Sequence, residues 1–564
     1  MFLPTTKKEM DHLGWDRPDV ILITGDSYID SPFIGVAVIG KVLSNAGFRT
    51  AIIAQPDVNS DSDIKRLGEP SLFWGVSGGC VDSLVANYTA SKKRRKKDDY
   101  TPGGINNKRP DRAVIKYSNL IRQYFKNTVP IVLGGIEASL RRVCHYDYWS
   151  NKIRKSILFD AKADYLIYGM GEKTVRQLAN NLKNNKSPDN IKGLCYISKQ
   201  PKEGYIELPS FDVVKNKQQR FSDMFDLFYN NNDPITATGL YQRHDSRYLV
   251  QNPPEDYLNQ KELDEVFSYD YERDLHPFYK TEGSVKALDT IKFSITTHQG
   301  CYGECNFCAI AVHQGRTVRW RSETSIIKEA DQISQHPAFK GTITDAGGPT
   351  ANMYGYECAK KLKKGSCADK RCLYPEVCKS LSPDHSKLTS LLKKLKQIKG
   401  VKHLFTASGV RYDLILGDKQ SGNQYLQQLV NHHISGQMKI APEHTEDNIL
   451  QLMGKPGKKQ LLDFKKQFDY LTGKSGKKQF LTYYIIAGHP GCRESDMKEV
   501  KKFCHEKLKT NPEQVQIFTP SPSTYSSLMY YTGKNPRGGN RIFVEKNIKN
   551  CERQKSIVTR KHKK

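Results

Sequence analysis

Residues 301 to 308, "CYGECNFC", put Cys301, Cys305 and Cys308 into eight positions at spacings C-x3-C-x2-C. Eight extended residues span at most ~28 Å, so such a loop can wrap a metal cluster a few ångströms across. A tetrahedral zinc site would need a fourth ligand, and the loop offers none nearby. A 4Fe–4S cubane held by three cysteines keeps one iron free to bind something else. Zinc, and thiols that only pack, stay open as alternatives.

A second group follows in "CAKKLKKGSCADKRCLYPEVCKSLSPDH": Cys358, Cys367, Cys372 and Cys378, then His385. The segment is lysine-rich and poor in core formers. A metal would organise it by supplying folding free energy. Four thiolates suit either an auxiliary iron–sulfur cluster or zinc, and unliganded thiols are the third reading.

The rest of the composition narrows the setting. Thirteen cysteines without an export signal point to a reducing cytoplasm, where thiols bind metal or catalyse rather than pair. No apolar run approaches the ~18 residues of a membrane helix. The net charge of +28 admits nucleic acid as a partner. Lysines spread over the whole chain account for it equally well, and "KKRRKKDD" (92 to 99) reads first as a solvated loop.

Elements must position these residues. "DVILITG", "FIGVAVIGKVLSNAG" and "FRTAIIAQPD" read as strand, helix and strand, with Gly47 closing the helix. Later runs ending in glycine ("SLFWGVSGG", "VPIVLGG", "ADYLIYGMGE") extend a doubly wound parallel sheet, whose ligand crevice would lie near Gly25–Asp26, Gly78–Gly79, Gly134–Gly135 and Gly169–Gly171. A second series, "KFSITT", "GTITDAGG", "HLFTASG", "MKIAPE", "FLTYYIIAG" and "QVQIFTP", predicts six βα steps curling into a partial barrel. The expected domains are a doubly wound α/β domain over 1–200, a connecting segment over 201–285, a barrel over 286–535 with a Cys-rich insertion at 358–385, and a basic C-terminal tail over 536–564.

C-x3-C-x2-C after a first barrel strand, with Phe307 before the last cysteine, resembles the signature of radical S-adenosylmethionine (SAM) enzymes. "TDAGGPTANMYG", "SGVRYDL", "KIAPEHTEDNILQLMGKP", "AGHPGCRESDM" and "PSPSTYSSLMYYTGKNP" resemble consecutive blocks of the YgiQ-type (UPF0313) radical SAM protein family. "GGCVDSLVANYTA", "YTPGG", "RPDRAVIKYSN" and "LGGIEASLRR" extend the likeness to the N-terminal half.

The resemblance implies an N-terminal cobalamin-binding-like sheet followed by a radical SAM partial (β/α)6 barrel. It further implies that Cys301, Cys305 and Cys308 ligate a 4Fe–4S cluster whose fourth iron SAM chelates. One electron, from a reducing donor, then gives methionine and a 5′-deoxyadenosyl radical. Phe307, Gly347, Gly348, Ser408, Arg411 and Glu443 fall at cofactor-binding positions. Gly347–Gly348 would meet SAM's amino group, although Pro349 stands where many relatives carry Glu. Ser408 and Arg411 would reach the ribose or carboxylate, and Glu443 matches the acidic residue of the fourth strand. No D-x-H-x-x-G occurs in residues 1–200, which argues against bound cobalamin and leaves the sheet as a lid or partner surface. The expected function is a radical SAM enzyme with its substrate open. The alternatives are a tRNA-modifying radical SAM enzyme, and a non-catalytic iron–sulfur or zinc protein that binds nucleic acid.

Overall fold

"VILIT" forms β1 (Val20–Thr24), buried at all five residues, as an apolar run flanked on both faces must be. The computed structural model describes residues 1–559 in two units. One is Met1–Leu258 with Glu265–Lys292; the other is Asn259–Asp264 with Phe293 onward.

In the first unit β1 pairs in parallel with β2 (Thr50–Ala54) and, on its other side, with β3 (Phe73–Ser77). Parallel pairing continues through β4 (Ile131–Gly134) to β5 (Tyr165–Ile167). Helices α1 (Gly35–Asn45) and α2 (Ala113–Tyr124) lie between these strands in sequence, and α3 (Glu172–Lys183) follows β5. Gly47 takes φ +85°, the left-handed turn expected of it after α1.

The sheet does not stop there. β6 (Leu194–Ser198), β7 (Ile206–Leu208), β8 (Leu240–His244) and β9 (Arg247–Gln251) bring it to nine strands, in the order β7-β8-β9-β6-β5-β4-β3-β1-β2. Residues 201–258, expected to lie in a connecting segment, therefore extend the sheet through the antiparallel pairs β6–β9 and β8–β9. Residues 265–292 also return to this unit, pairing Asp274 with Asp30 and Leu275 with Ile29. Their sequence looks weak because strands in the antiparallel part of a sheet tolerate polar residues on one face, which a central parallel strand does not.

The second unit is a partial barrel. β10 (Ser294–Thr296) pairs in parallel with β12 (Asp345–Gly347), just after β11 (Thr342–Ile343), which pairs with β13 (His403–Leu404). A Val410–Ile440 bridge leads to β14 (Gln437–Glu443), which joins β15 (Phe480–Ala487) and β16 (Gln514–Ile517), all parallel. Helix α4 (Glu323–Gln335) starts where Ser322 accepts the Ser325 N–H, and buries Ile326, Ala330 and Ile333 at helical spacing. These side chains meet Ile295, Ile343, Leu404, Ile440, Ile485 and Val515 in one core. Each fully buried Ile or Leu contributes about 1.5–3 kcal/mol.

The segment expected as a basic tail contains helix α5 (Ile548–Thr559), which buries Cys551, Gln554 and Val558. Residues 560–564 of that tail lie outside the described residues. No described helix is long and apolar enough to cross a membrane.

Candidate active site

Thr297 follows β10 and donates its N–H to the Gly347 carbonyl at 2.6 Å. His298–Gln299 then pairs antiparallel with Arg319–Trp320, so the cysteine loop leaves and re-enters through a fixed base. Gly300 has φ +80°, and a Cβ there would sit 2.4 Å from the Thr317 carbonyl oxygen; only glycine permits that crossing.

Within the loop Cys301 N donates to Gly315 O at 3.3 Å, and Cys308 N to Cys305 O at 3.0 Å. Asn306 ties the loop to later segments. Its N donates to Met453 O at 2.9 Å and its Nδ2 to Leu452 O at 2.7 Å, while Ser526 N donates to its carbonyl at 2.9 Å. Arg371 donates to Glu304 O at 2.7 Å.

The sulfurs of Cys301 and Cys305 flank Gly303: a Cβ on that glycine would lie 3.2 and 3.6 Å from them. Gly303 N also donates to the Cys301 sulfur at 3.3 Å. Burial first, then the neighbouring Cys305, pushes the Cys301 thiol up to about 11 and the Cys308 thiol to about 12. Loading a metal therefore expels protons from these thiols. Soft sulfur, N–H···S bonds and a pinned loop fit an iron–sulfur cluster.

The other expected residues fall as follows. Phe307 is half-buried and meets the His489 ring edge-on at 6.4 Å. Gly347 ends β12, and a Cβ on Gly348 would come within 2.6 Å of His298 Nε2. Ser408 donates its hydroxyl to Asp345. Arg411 forks onto Asp413 and reaches the Cys305 sulfur with Nη1 at 3.5 Å. Glu443 closes β14 at φ +71°, where the register with β15 slips between Ile440 and Glu443. Burial pushes its carboxyl up against the downward pull of Lys455 and Arg411.

Two residues of this neighbourhood escaped the sequence reading. His298, fully buried, shares a hydrogen bond at 2.9 Å with Thr297 Oγ1. Lys455 is 4% exposed and follows the left-handed Gly454. The signal for His298 was its place two residues before Gly300. Lys455 lies in "MGKP", but nothing local links it to Cys301 or Glu443.

The second cysteine group divides. Cys358 joins Tyr302, Met353, Tyr356, Leu373 and Leu381 in a small core, and Cys301, Cys372 and Cys378 pack against it. Lys361 Nζ lies 3.5 Å from the Cys372 sulfur, and Cys378 N donates to Cys372 O at 2.8 Å. Cys367 is not part of that core. His385 turns away to Asp418, at 2.8 Å, and to Asn352. Among the described residues no three His, Cys, Asp or Glu side chains already converge as a metal-ligand set.

Two solved structures share the fold. TsrM from Kitasatospora setae, a radical SAM methyltransferase with cobalamin and a 4Fe–4S cluster bound, has TM-score 0.50 at 12% identity, over 91% of this chain and 77% of that one. OxsB, a cobalamin-dependent SAM radical enzyme with aqua-cobalamin bound, has TM-score 0.50 at 13% identity, over 93% and 57%. The fold is thus that of an α/β sheet domain joined to a radical SAM barrel. A family model described as Radical SAM N-terminal matches residues 2–294. A UPF0313 protein of Fusobacterium nucleatum subsp. nucleatum is 59% identical over 563 residues, 100% of this chain and 99% of that relative. A UPF0313 protein of Thermotoga petrophila is 48% identical over 566 residues, again 100% and 99%. The chain belongs to the UPF0313 family of radical SAM proteins.

The sequence argument against cobalamin does not stand. Two enzymes with this fold are described with cobalamin or aqua-cobalamin bound. A parallel sheet offers a ligand the crevice at its strand ends, which needs no single histidine string. Here that crevice is filled between β1 and β3 by Arg109, bonded to Gly78 O at 2.9 Å and paired with Asp26 and Asp98. It is open beyond β4 at Gly134, where a Cβ would meet no atom within 4 Å.

Proposed function

We propose that the protein holds a 4Fe–4S cluster on Cys301, Cys305 and Cys308 and uses it to cleave SAM reductively. When bound, the cluster supplies the electron, taken from a low-potential donor, that yields methionine and a 5′-deoxyadenosyl radical. The observation that carries this reading is the pair of sulfurs flanking Gly303 in a loop pinned at Gly300 and Asn306. The chain's own work is to orient and to exclude water. Asn306 and Gly300 fix the loop, Gly348 keeps the half-buried chain after β12 free of a side chain beside His298, and Glu443 and Lys455 bring opposite charges to the same mouth. Cys358, Cys372 and Cys378 are assigned to an auxiliary metal centre, with Cys367 as the candidate to close the set on loading.

Anaerobic reconstitution, iron analysis and electron paramagnetic resonance test the first assignment. The C301A/C305A/C308A protein should lose the cluster signal and 5′-deoxyadenosine formation. A triple variant with the wild-type signal would reject it. The same variant should still retain iron or zinc on the second group; a folded, metal-free protein removes that group from the metal-binding residues.

Cobalamin is the second cofactor, favoured by the shared fold and the opening at Gly134. Titrating full-length protein with hydroxocobalamin and following absorbance through gel filtration tests it. Retained corrinoid supports the assignment, and complete separation ends it.

A further inference from the structure

Arg411 is clamped before its side chain begins. Its N donates to Asn352 Oδ1 at 2.8 Å, and its carbonyl accepts from Asn352 Nδ2 at 3.0 Å. His385 contacts that same amide at 3.1 Å and is itself held by Asp418. The guanidinium is equally constrained. Nε donates to Asp413 Oδ1 at 2.8 Å and Nη2 to Asp413 Oδ2, which leaves Nη1 on the Cys305 sulfur at 3.5 Å. The residue is only 8% exposed. Burial alone would push the guanidinium down, but Asp413 and the sulfurs of Cys305 and Cys301 outweigh it and keep it charged.

A buried guanidinium with a bidentate carboxylate is nearly neutral overall, yet it presents an N–H dipole, positive end first, to one sulfur. Reduction potentials of iron–sulfur clusters respond to net charge and to hydrogen bonds on their sulfurs. We propose that Arg411 is a positioning residue that sets the potential of the cluster through its bond to Cys305, with Asp413 fixing how much positive charge that sulfur feels. This rests on the reading that Cys305 ligates a cluster. A donor at sulfur stabilises the reduced cluster more than the oxidised one, because the reduced cluster carries one more negative charge. Arg411 therefore eases the electron's arrival, and Asp413 moderates it.

The test is an electron paramagnetic resonance-monitored redox titration of reconstituted full-length wild type, R411Q, R411K and D413N, each normalised to its iron content. R411Q should lower the reduced-to-oxidised ratio at fixed potential about tenfold, a shift of ~59 mV to more negative potential for one electron. D413N, which leaves the cation uncompensated, should shift the potential in the positive direction. A merely structural pair would not give shifts of opposite sign. Unchanged potentials, or shifts of one sign in both variants, overturn the inference while leaving the cluster assignment intact. A wild type that takes up no cluster overturns that assignment and this inference together. If R411Q does not fold, R411K takes its place: a negative shift supports the inference and none overturns it.

Discussion

At the scale of single residues, the second unit depends on charges it has buried. Arg321 is fully buried, donates to Thr296 O at 2.9 Å at the end of β10, pairs with Glu329 in α4, and bonds Ser325 Oγ at 2.8 Å. Glu329→Ala would leave that guanidinium without its carboxylate, at a cost of about 3–5 kcal/mol. Urea unfolding should show a clearly lower midpoint, and a midpoint unchanged within error would contradict it. Gly300→Ala acts more locally. It places a methyl against the Thr317 carbonyl in a left-handed backbone, so Cys301 must move. The expected result is a folded protein with most of its iron-binding capacity lost; full iron loading at wild-type affinity would disprove it.

At the scale of elements, α5 behaves as part of the barrel. Gln554 accepts from Gly488 N at 2.9 Å after β15, and its Nε2 donates to the Cys492 carbonyl at 3.4 Å. The Cys551 sulfur lies where a Cβ on Gly488 would be 3.1 Å away. Gln554→Ala strips a buried N–H of its acceptor, worth about 1–3 kcal/mol. Deleting residues 548–564 also uncovers apolar surface on α5's neighbours. Limited proteolysis should cut the truncated protein within 293–547 faster than the full chain, and equal rates would show α5 to be dispensable.

At the scale of the whole molecule, buried histidines set the response to acid. Burial pushes His145, His244, His298, His444 and His489 down to about 3. Unfolded, each takes up a proton near 6.5, so between about 3 and 6.5 the unfolded chain binds more protons and stability falls as pH falls. Each histidine removes about 2 kcal/mol by pH 5. Denaturant midpoints should therefore drop steeply between pH 7 and pH 5; a flat profile would mean these sites open to water. The formal net charge of +28 bears on partners instead. If nucleic acid is one, tRNA binding should weaken linearly in log salt with a slope of about −0.9 per phosphate neutralised on duplex and less on single strands. Binding insensitive to salt would remove it.

What the sequence determined by itself was whatever chain connectivity or local periodicity encodes. C-x3-C-x2-C keeps three thiols in one loop in any fold, buried parallel strands announce themselves as short apolar runs, and family blocks span the chain. Gly47 could be placed after its helix because a left-handed closing residue is a local requirement. Partner choice was not legible. Arg411 follows β13, whereas Cys305 lies 106 residues earlier and only barrel closure brings them together. Lys455 carries no local mark of its surroundings, and His298 only its closeness to Gly300. Of the second cysteine group, folding gathers Cys358, Cys372 and Cys378 around Tyr302 and leaves Cys367 aside, a division that spacing cannot express. Residues 201–258 read as a connector because their strands mix buried and exposed residues, so their membership in a sheet is decided by which distant strand accepts their hydrogen bonds. Spacing is covalent and survives in the unfolded chain; hydrogen-bond partners, burial and the charge felt at a sulfur exist only once distant segments have packed.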